Sequence, residues 1–202
     1  METFVSNIKM KFSNYLETLL GSKVKVKILR ALFRFETKIF TSRELAEQIK
    51  VSHTAVLKSL GDLQGMNAIK IERHGTSNLI SLNIESQLFE HLRTLYNKES
   101  GILQSVKDEL RRILPFAGKI AVFGSVASRT EKLNSDIDVL VITNDKERTN
   151  ETVSKNTGKF SRKFGNVISA YVMTSNEFNR KKKSDFIKGI IGNHIMVKGD
   201  KL

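Results

Sequence analysis

A Gly-Ser pair and two aspartates stand at a spacing suited to phosphate and metal chemistry. In the run Phe123-Gly124-Ser125-Val126-Ala127-Ser128-Arg129-Thr130-Glu131-Lys132-Leu133-Asn134-Ser135-Asp136-Ile137-Asp138-Val139-Leu140-Val141, ten residues separate Ser125 from Asp136. Asp138 follows two positions later, inside an aliphatic, β-branched segment. Two apart on a strand, both carboxylates point to one face. There they repel each other and are costly to bury. A divalent cation removes that cost, and Mg²⁺ prefers carboxylates that share it with substrate phosphates. The Gly-Ser turn offers backbone N–H groups where a helix begins, a natural phosphate cradle. Together these residues read as a site for a metal-bound nucleoside triphosphate.

The same residues resemble the nucleotidyltransferase superfamily related to DNA polymerase β, and its minimal bacterial and archaeal members above all. The resemblance covers residues 119–144 well and the rest of the C-terminal half loosely. It implies Mg²⁺ (or Mn²⁺) held by Asp136 and Asp138, with ATP or another nucleoside triphosphate as substrate or ligand. It further implies phosphate contacts from Gly124 and Ser125, and transfer of a nucleoside monophosphate to a protein or nucleic-acid acceptor. Relatives often read Ala-Arg-Gly where this chain reads Ala127-Ser128-Arg129-Thr130. Arg129 reaches a phosphate with its planar fork, or stands as a solvated loop arginine. A third carboxylate on a later strand usually completes such sites. The next strand candidate, Asn166-Val167-Ile168-Ser169-Ala170-Tyr171-Val172-Met173-Thr174, holds no acid. Ser169 or Tyr171 is expected in its place, and Glu177 is expected to cap a helix opened by Thr174 or Ser175. The missing carboxylate keeps a second reading open, a transcriptional regulator whose nucleotidyltransferase-like domain only senses nucleotide.

These residues need elements to hold them, and the rest of the chain supplies two sets. Lys25-Val26-Lys27-Ile28-Leu29-Arg30-Ala31-Leu32-Phe33 has helical spacing. Thr41-Ser42-Arg43-Glu44 opens a second helix, and Ser52 caps a third. After Gly65 come two strand-like runs, 68–72 and 78–82, joined as a hairpin by residues 73–77. This order resembles a winged helix-turn-helix domain over residues 22–84. That resemblance implies double-stranded DNA as partner, with the helix from Ser52 in the major groove, or else a protein contact or dimerisation surface, a use such domains also serve. Ser52, His53, Thr54 and Lys58 would face the DNA, His53 and His74 standing as solvent-facing side chains. Arg73 and His74 would reach it from the wing, and Lys23, Lys25, Lys27 and Arg43 would add phosphate contacts.

An amphipathic helix is expected over residues 2–20, counted with 1–21 as a separate segment. A helical stretch over 85–114 is expected to break at 97–101, giving a connecting helix at 85–100 and a nucleotidyltransferase-like domain at 101–202. The basic run Arg180-Lys181-Lys182-Lys183 either steers a polyanion or forms a solvated face. Phe178, Phe186, Ile187, Ile190 and Ile191 are expected on one last helix, and His194 is expected to serve structure. The fold class is therefore α+β, a winged helix-turn-helix followed by a mixed sheet flanked by helices.

Composition agrees with this reading. The 202 residues carry 34 Lys/Arg against 21 Asp/Glu and no cysteine, which excludes disulfides and thiolate metal sites. The net charge of +13 favours a polyanionic partner. Without a membrane-spanning run or a signal-peptide pattern, a cytoplasmic protein with no membrane partner is expected, and the apolar helices suggest a homodimer.

Overall fold

The computed structural model describes residues 15–75, 77–132 and 135–202. Most of the N-terminal amphipathic segment expected over 2–20 lies outside them. The chain divides into two compact units, Met1–Ser100 and Gly101–Leu202.

The first unit runs α1 (Tyr15–Leu20), α2 (Lys23–Arg34), β1 (Phe40–Thr41), α3 (Ser42–Ile49), α4 (His53–Gly65), β2 (Ile69–His74) and β3 (Ser77–Leu82). Each main helix starts at a side-chain cap. Val24 N–H donates to Ser22, Thr41 and Glu44 form a reciprocal capping box, and Ala55 N–H donates to Ser52. Such caps contribute about 1 kcal/mol each. Lys50 closes α3 in the left-handed region at φ 54°, which turns the chain into α4 within three residues. Ile28, Leu32, Leu45, Leu60, Leu63 and Ile80 fill the interior. This is the winged helix-turn-helix order, with one strand that the sequence did not suggest. Phe40 and Thr41 pair with Ile80 and Leu79, giving a three-stranded sheet β1-β3-β2. Two residues are too few to show an alternating pattern.

Lys25 corrects one expectation. It is 8% exposed, its ammonium 2.5 Å from Asp62 and donating to the Thr18 carbonyl at 2.7 Å. It ties α2 to α4 and α1 and leaves no charge for a phosphate. Its place at the buried edge of the α2 stripe, two residues from Lys23 and Lys27, hid this in the sequence.

The break expected at 97–101 is absent, for α5 runs Gln87–Ile113 continuously. Gly101 lowers helix stability by only about 1 kcal/mol relative to Ala. The Arg30–Glu99 fork, at 2.9 and 2.6 Å, supports the helix beside it.

The second unit comprises the end of α5, then β4 (Lys119–Phe123), α6 (Gly124–Ser128), β5 (Ile137–Ile142), α7 (Lys146–Phe164), β6 (Ile168–Met173), α8 (Ser175–Lys181), α9 (Asp185–Gly192) and β7 (Ile195–Lys198). The sheet order is β6-β5-β4-β7, parallel only between β5 and β6. Those two strands are joined through α7, since a parallel pair needs a crossover. Alternation along β5 decides which residue faces which layer. Ile137, Val139 and Val141 pack with Val106, Leu110 and Phe160 of α5 and α7. Leu140 and Ile142 pack with Phe178, Ile187 and Ile190 of α8 and α9. The expected single last helix is two, because Ser184 recaps the chain after the α8 turn.

Candidate functional site

Asp138 belongs to the α8–α9 face of β5 by the same period of two, at the strand's opening end. Asp136 lies just before the strand, which starts at Ile137, and is exposed. The pair is therefore not two positions of one strand, as expected, but a strand residue and its lead-in. They remain electrostatic neighbours. Burial, and then the charge of Asp136, pushes the Asp138 carboxyl above its ordinary range. Neither carboxylate has a hydrogen-bond or ion-pair partner among the described residues.

Register brings the glycine to this carboxylate. Phe123, the last residue of β4, lies opposite Asp138, so Gly124 begins α6 directly beside it. Gly124 sits at φ +68°, and a Cβ there would fall 3.2 Å from Asp138 Cγ and closer still to Oδ2. Only glycine satisfies both the conformation and the approach. Among the described residues no side chain caps α6 at its N-terminus. Ser125 is half-buried within this turn. Ser128 donates to the Gly124 carbonyl at 3.0 Å and accepts from Asn193 at 2.6 Å, which ties α6 to the residue after α9. Arg129 ends α6 at φ 56°, exposed and without an ion pair among the described residues.

The β5–β6 register sets apart the two residues expected in the place of a third carboxylate. Ser169 lies opposite Asp138 and Tyr171 opposite Leu140. Glu177 is committed elsewhere. It completes the Thr174 capping box of α8 and pairs with Lys146 at 2.9 Å. The Thr174 backbone N–H, then Lys146, holds its carboxyl down at about 2. His194 lies 3.0 Å from the carbonyls of Ile190 and Ile191 and closes α9. Among the described residues no group of three or more His, Asp or Glu side chains is arranged to hold a metal. The donor set still suits a divalent cation. The two carboxylates are electrostatic neighbours without a positive partner among the described residues, and triphosphate oxygens can supply the remaining ligands.

The sequence missed an aromatic group on this face. The Phe186 ring packs edge-on against Phe123 at 6.0 Å and Tyr171 at 5.0 Å. Phe123 adjoins Gly124 in sequence, but the approach of α9 to β4 and β6 is tertiary.

In the first unit, Arg43, Thr54, Lys58, Arg73 and His74 are exposed as expected. Ser52 spends its hydroxyl on the α4 cap. His53, expected to face solvent, is half-buried and its Nε2 lies 2.9 Å from Ser42 Oγ. Its position at the first turn of α4 faces it back onto α3. A groove of about 560 Å³ lies over this turn, lined by Arg43, Glu47, Lys50 and Ser52 among others.

Comparison with known proteins bears on the second unit. Residues 103–192 match the nucleotidyltransferase domain family. That match spans less than half of the chain and encloses Gly124, Ser125, Asp136 and Asp138. No curated protein matches. Among solved structures, a toxin–antitoxin with AMP-PNP is 20% identical, covering 48% of this chain and 73% of that one, with a TM-score of 0.37. A point mutant of ZitR from Lactococcus lactis is 19% identical over 72% and 82%, TM-score 0.35. TrmBL2, an archaeal chromatin protein, is 16% identical over 87% and 72%, TM-score 0.31. All three TM-scores fall below 0.5, so none of these likenesses bears on function.

Proposed function

We propose that the second unit is a metal-dependent nucleotidyltransferase that uses ATP or another nucleoside triphosphate. The observation that carries this reading is the seating of the Asp138 carboxylate on Gly124, with Asp136 beside it. In this reading Asp138 and Asp136 would bind the metal next to the turn whose N–H groups would hold the β- and γ-phosphates. Asp136 and Asp138 would hold Mg²⁺ or Mn²⁺, which supplies charge neutralisation at the triphosphate. Gly124 lets the phosphate approach, Ser125 would bind it through N–H and hydroxyl, and Arg129 would add its guanidinium. An acceptor hydroxyl oxygen then bonds to the α-phosphorus as the bond to the bridging oxygen breaks. Pyrophosphate leaves, and the hydroxyl proton passes to solvent, since Ser169 offers no base.

In the first unit, Arg43, Thr54, Lys58, Arg73 and His74 form the proposed surface for double-stranded DNA. The serine opposite Asp138 favours a second reading, in which the site senses nucleotide and the DNA-binding unit delivers the output. Calorimetric titration of Mg-ATP into wild type and Asp136→Ala/Asp138→Ala tests the site. Binding by wild type alone supports it. No binding by either, with Mn²⁺ and other nucleotides included, removes it. Pyrophosphate release that depends on Asp138 then separates transferase from sensor.

A further inference from the structure

Phe186 and the four residues 180–183 leave a surface that the nucleotide site does not use. Phe186 is the second residue of α9, and its ring is seated on Phe123 and Tyr171 yet 51% exposed. Phe123 is the register partner of Asp138 and Tyr171 follows Ser169 by two on the same face. The aromatic group thus adjoins the Asp138 carboxylate. Arg180 and Lys181 end α8, and Lys182 and Lys183 lead towards α9; all four are exposed and none is ion-paired among the described residues, Lys182 lying 5.7 Å from the Phe178 ring. Lys183 is three residues from Phe186, so their Cα atoms lie within about 11 Å. The two acids near them in the chain are engaged elsewhere, Glu177 with Lys146 at 2.9 Å and Asp185 3.7 Å from Lys188.

An apolar ring that keeps half its surface in water offers a face on which a flat partner can stack. Four adjacent exposed cations with no ion pair among the described residues offer a track for a polyanion. Single-stranded nucleic acid supplies both, because bases stack on aromatic faces while phosphates follow the positive charge. We propose that this face binds single-stranded nucleic acid, with a base on Phe186 and phosphates on residues 180–183, leading a strand end to Asp138. The site rests on the transferase reading only for the fate of that end, whose terminal hydroxyl would be the acceptor oxygen. A protein acceptor would need neither the exposed ring nor the run of cations.

The test titrates the full chain into a fluorescent single-stranded RNA 12-mer, read by anisotropy across a salt series in Mg²⁺. Replacing all four of residues 180–183 by Gln should flatten the slope of log affinity against log salt by roughly 3, at about 0.7 per phosphate. Phe186→Ala and Phe186→Leu should each weaken binding roughly tenfold with the slope unchanged; the leucine keeps the apolar contact in case the alanine variant unfolds. Lys58→Gln/Arg73→Gln should leave strand binding as it is. Wild-type affinity and slope in the four-Gln variant, or in both Phe186 variants, overturns the proposal. So does strand binding that is lost with Lys58 and Arg73, or label from α-labelled ATP on protein in a chain that binds no strand. Strand binding that persists in Asp136→Ala/Asp138→Ala, while wild type fails to bind Mg-ATP, would remove the transferase reading and leave this site standing.

Discussion

Gly124 shows what a single residue contributes here. Its positive φ and the Asp138 carboxylate against its Cα act on the same atom. Gly124→Ala is expected to lose about 1–3 kcal/mol of stability and to abolish Mg-ATP binding, as denaturant unfolding and calorimetry would show. Asp138 should behave in the opposite sense. Burial and Asp136 raise its folded pKa, so the folded state holds the proton more tightly than the unfolded chain. That contribution is present at low pH and is lost as pH rises through the raised value. Without metal, Asp138→Asn should therefore melt above wild type at pH 7, with the gap closing below about pH 4. A gap that persists at pH 3 would count against the electrostatic account. The candidate residues stand out in the sequence by type and spacing. The seating of one on another was not, because it depends on the pairing of Phe123 with Asp138 across two strands.

Elements followed local signals where caps and periodicity agreed. Thr41 with Glu44, Ser52, and Thr174 with Glu177 each opened a helix where the sequence placed one. The sequence misjudged places where a weak local preference met tertiary support. The stretch 97–101 has turn-forming residues, yet α5 passes through it. A Cβ on Gly101 would meet nothing within 4 Å. Gly101→Ala should thus stabilise the protein by up to about 1 kcal/mol, measured as a higher denaturation midpoint at unchanged slope. A loss of stability would mean that the helix is strained there. The opposite error occurred at 182–184, where an apolar pattern ran on but Ser184 started a new helix. Hydrophobic periodicity alone cannot see a recapped turn.

At the scale of the whole chain, charge is the dominant property. A net +13 should give salt-sensitive binding to nucleic acid. Not every cation is free to contribute. Lys25 is neutralised by Asp62, and Arg30 by Glu99. If the first unit binds a duplex as proposed, Lys58→Gln should reduce the salt slope by about 0.9, while Lys25→Gln should destabilise the fold and leave the slope unchanged. Equal slopes in wild type and Lys58→Gln would take α4 out of the proposed interface. No helix among the described residues is long and apolar enough to cross a membrane.

The sequence by itself determined the α+β class, the helix caps, the alternating strands and the identity of the residues that could do chemistry. Each of these rests on interactions within a few positions of the chain. Tertiary structure alone decided that Asp138 rests on Gly124, that Ser169 stands opposite it, and that Lys25 and His53 turn inward. It also decided that Phe186 joins Phe123 and Tyr171 beside the site. Those outcomes depend on strand register and on helix approach between residues far apart in the chain, and no local pattern encodes them.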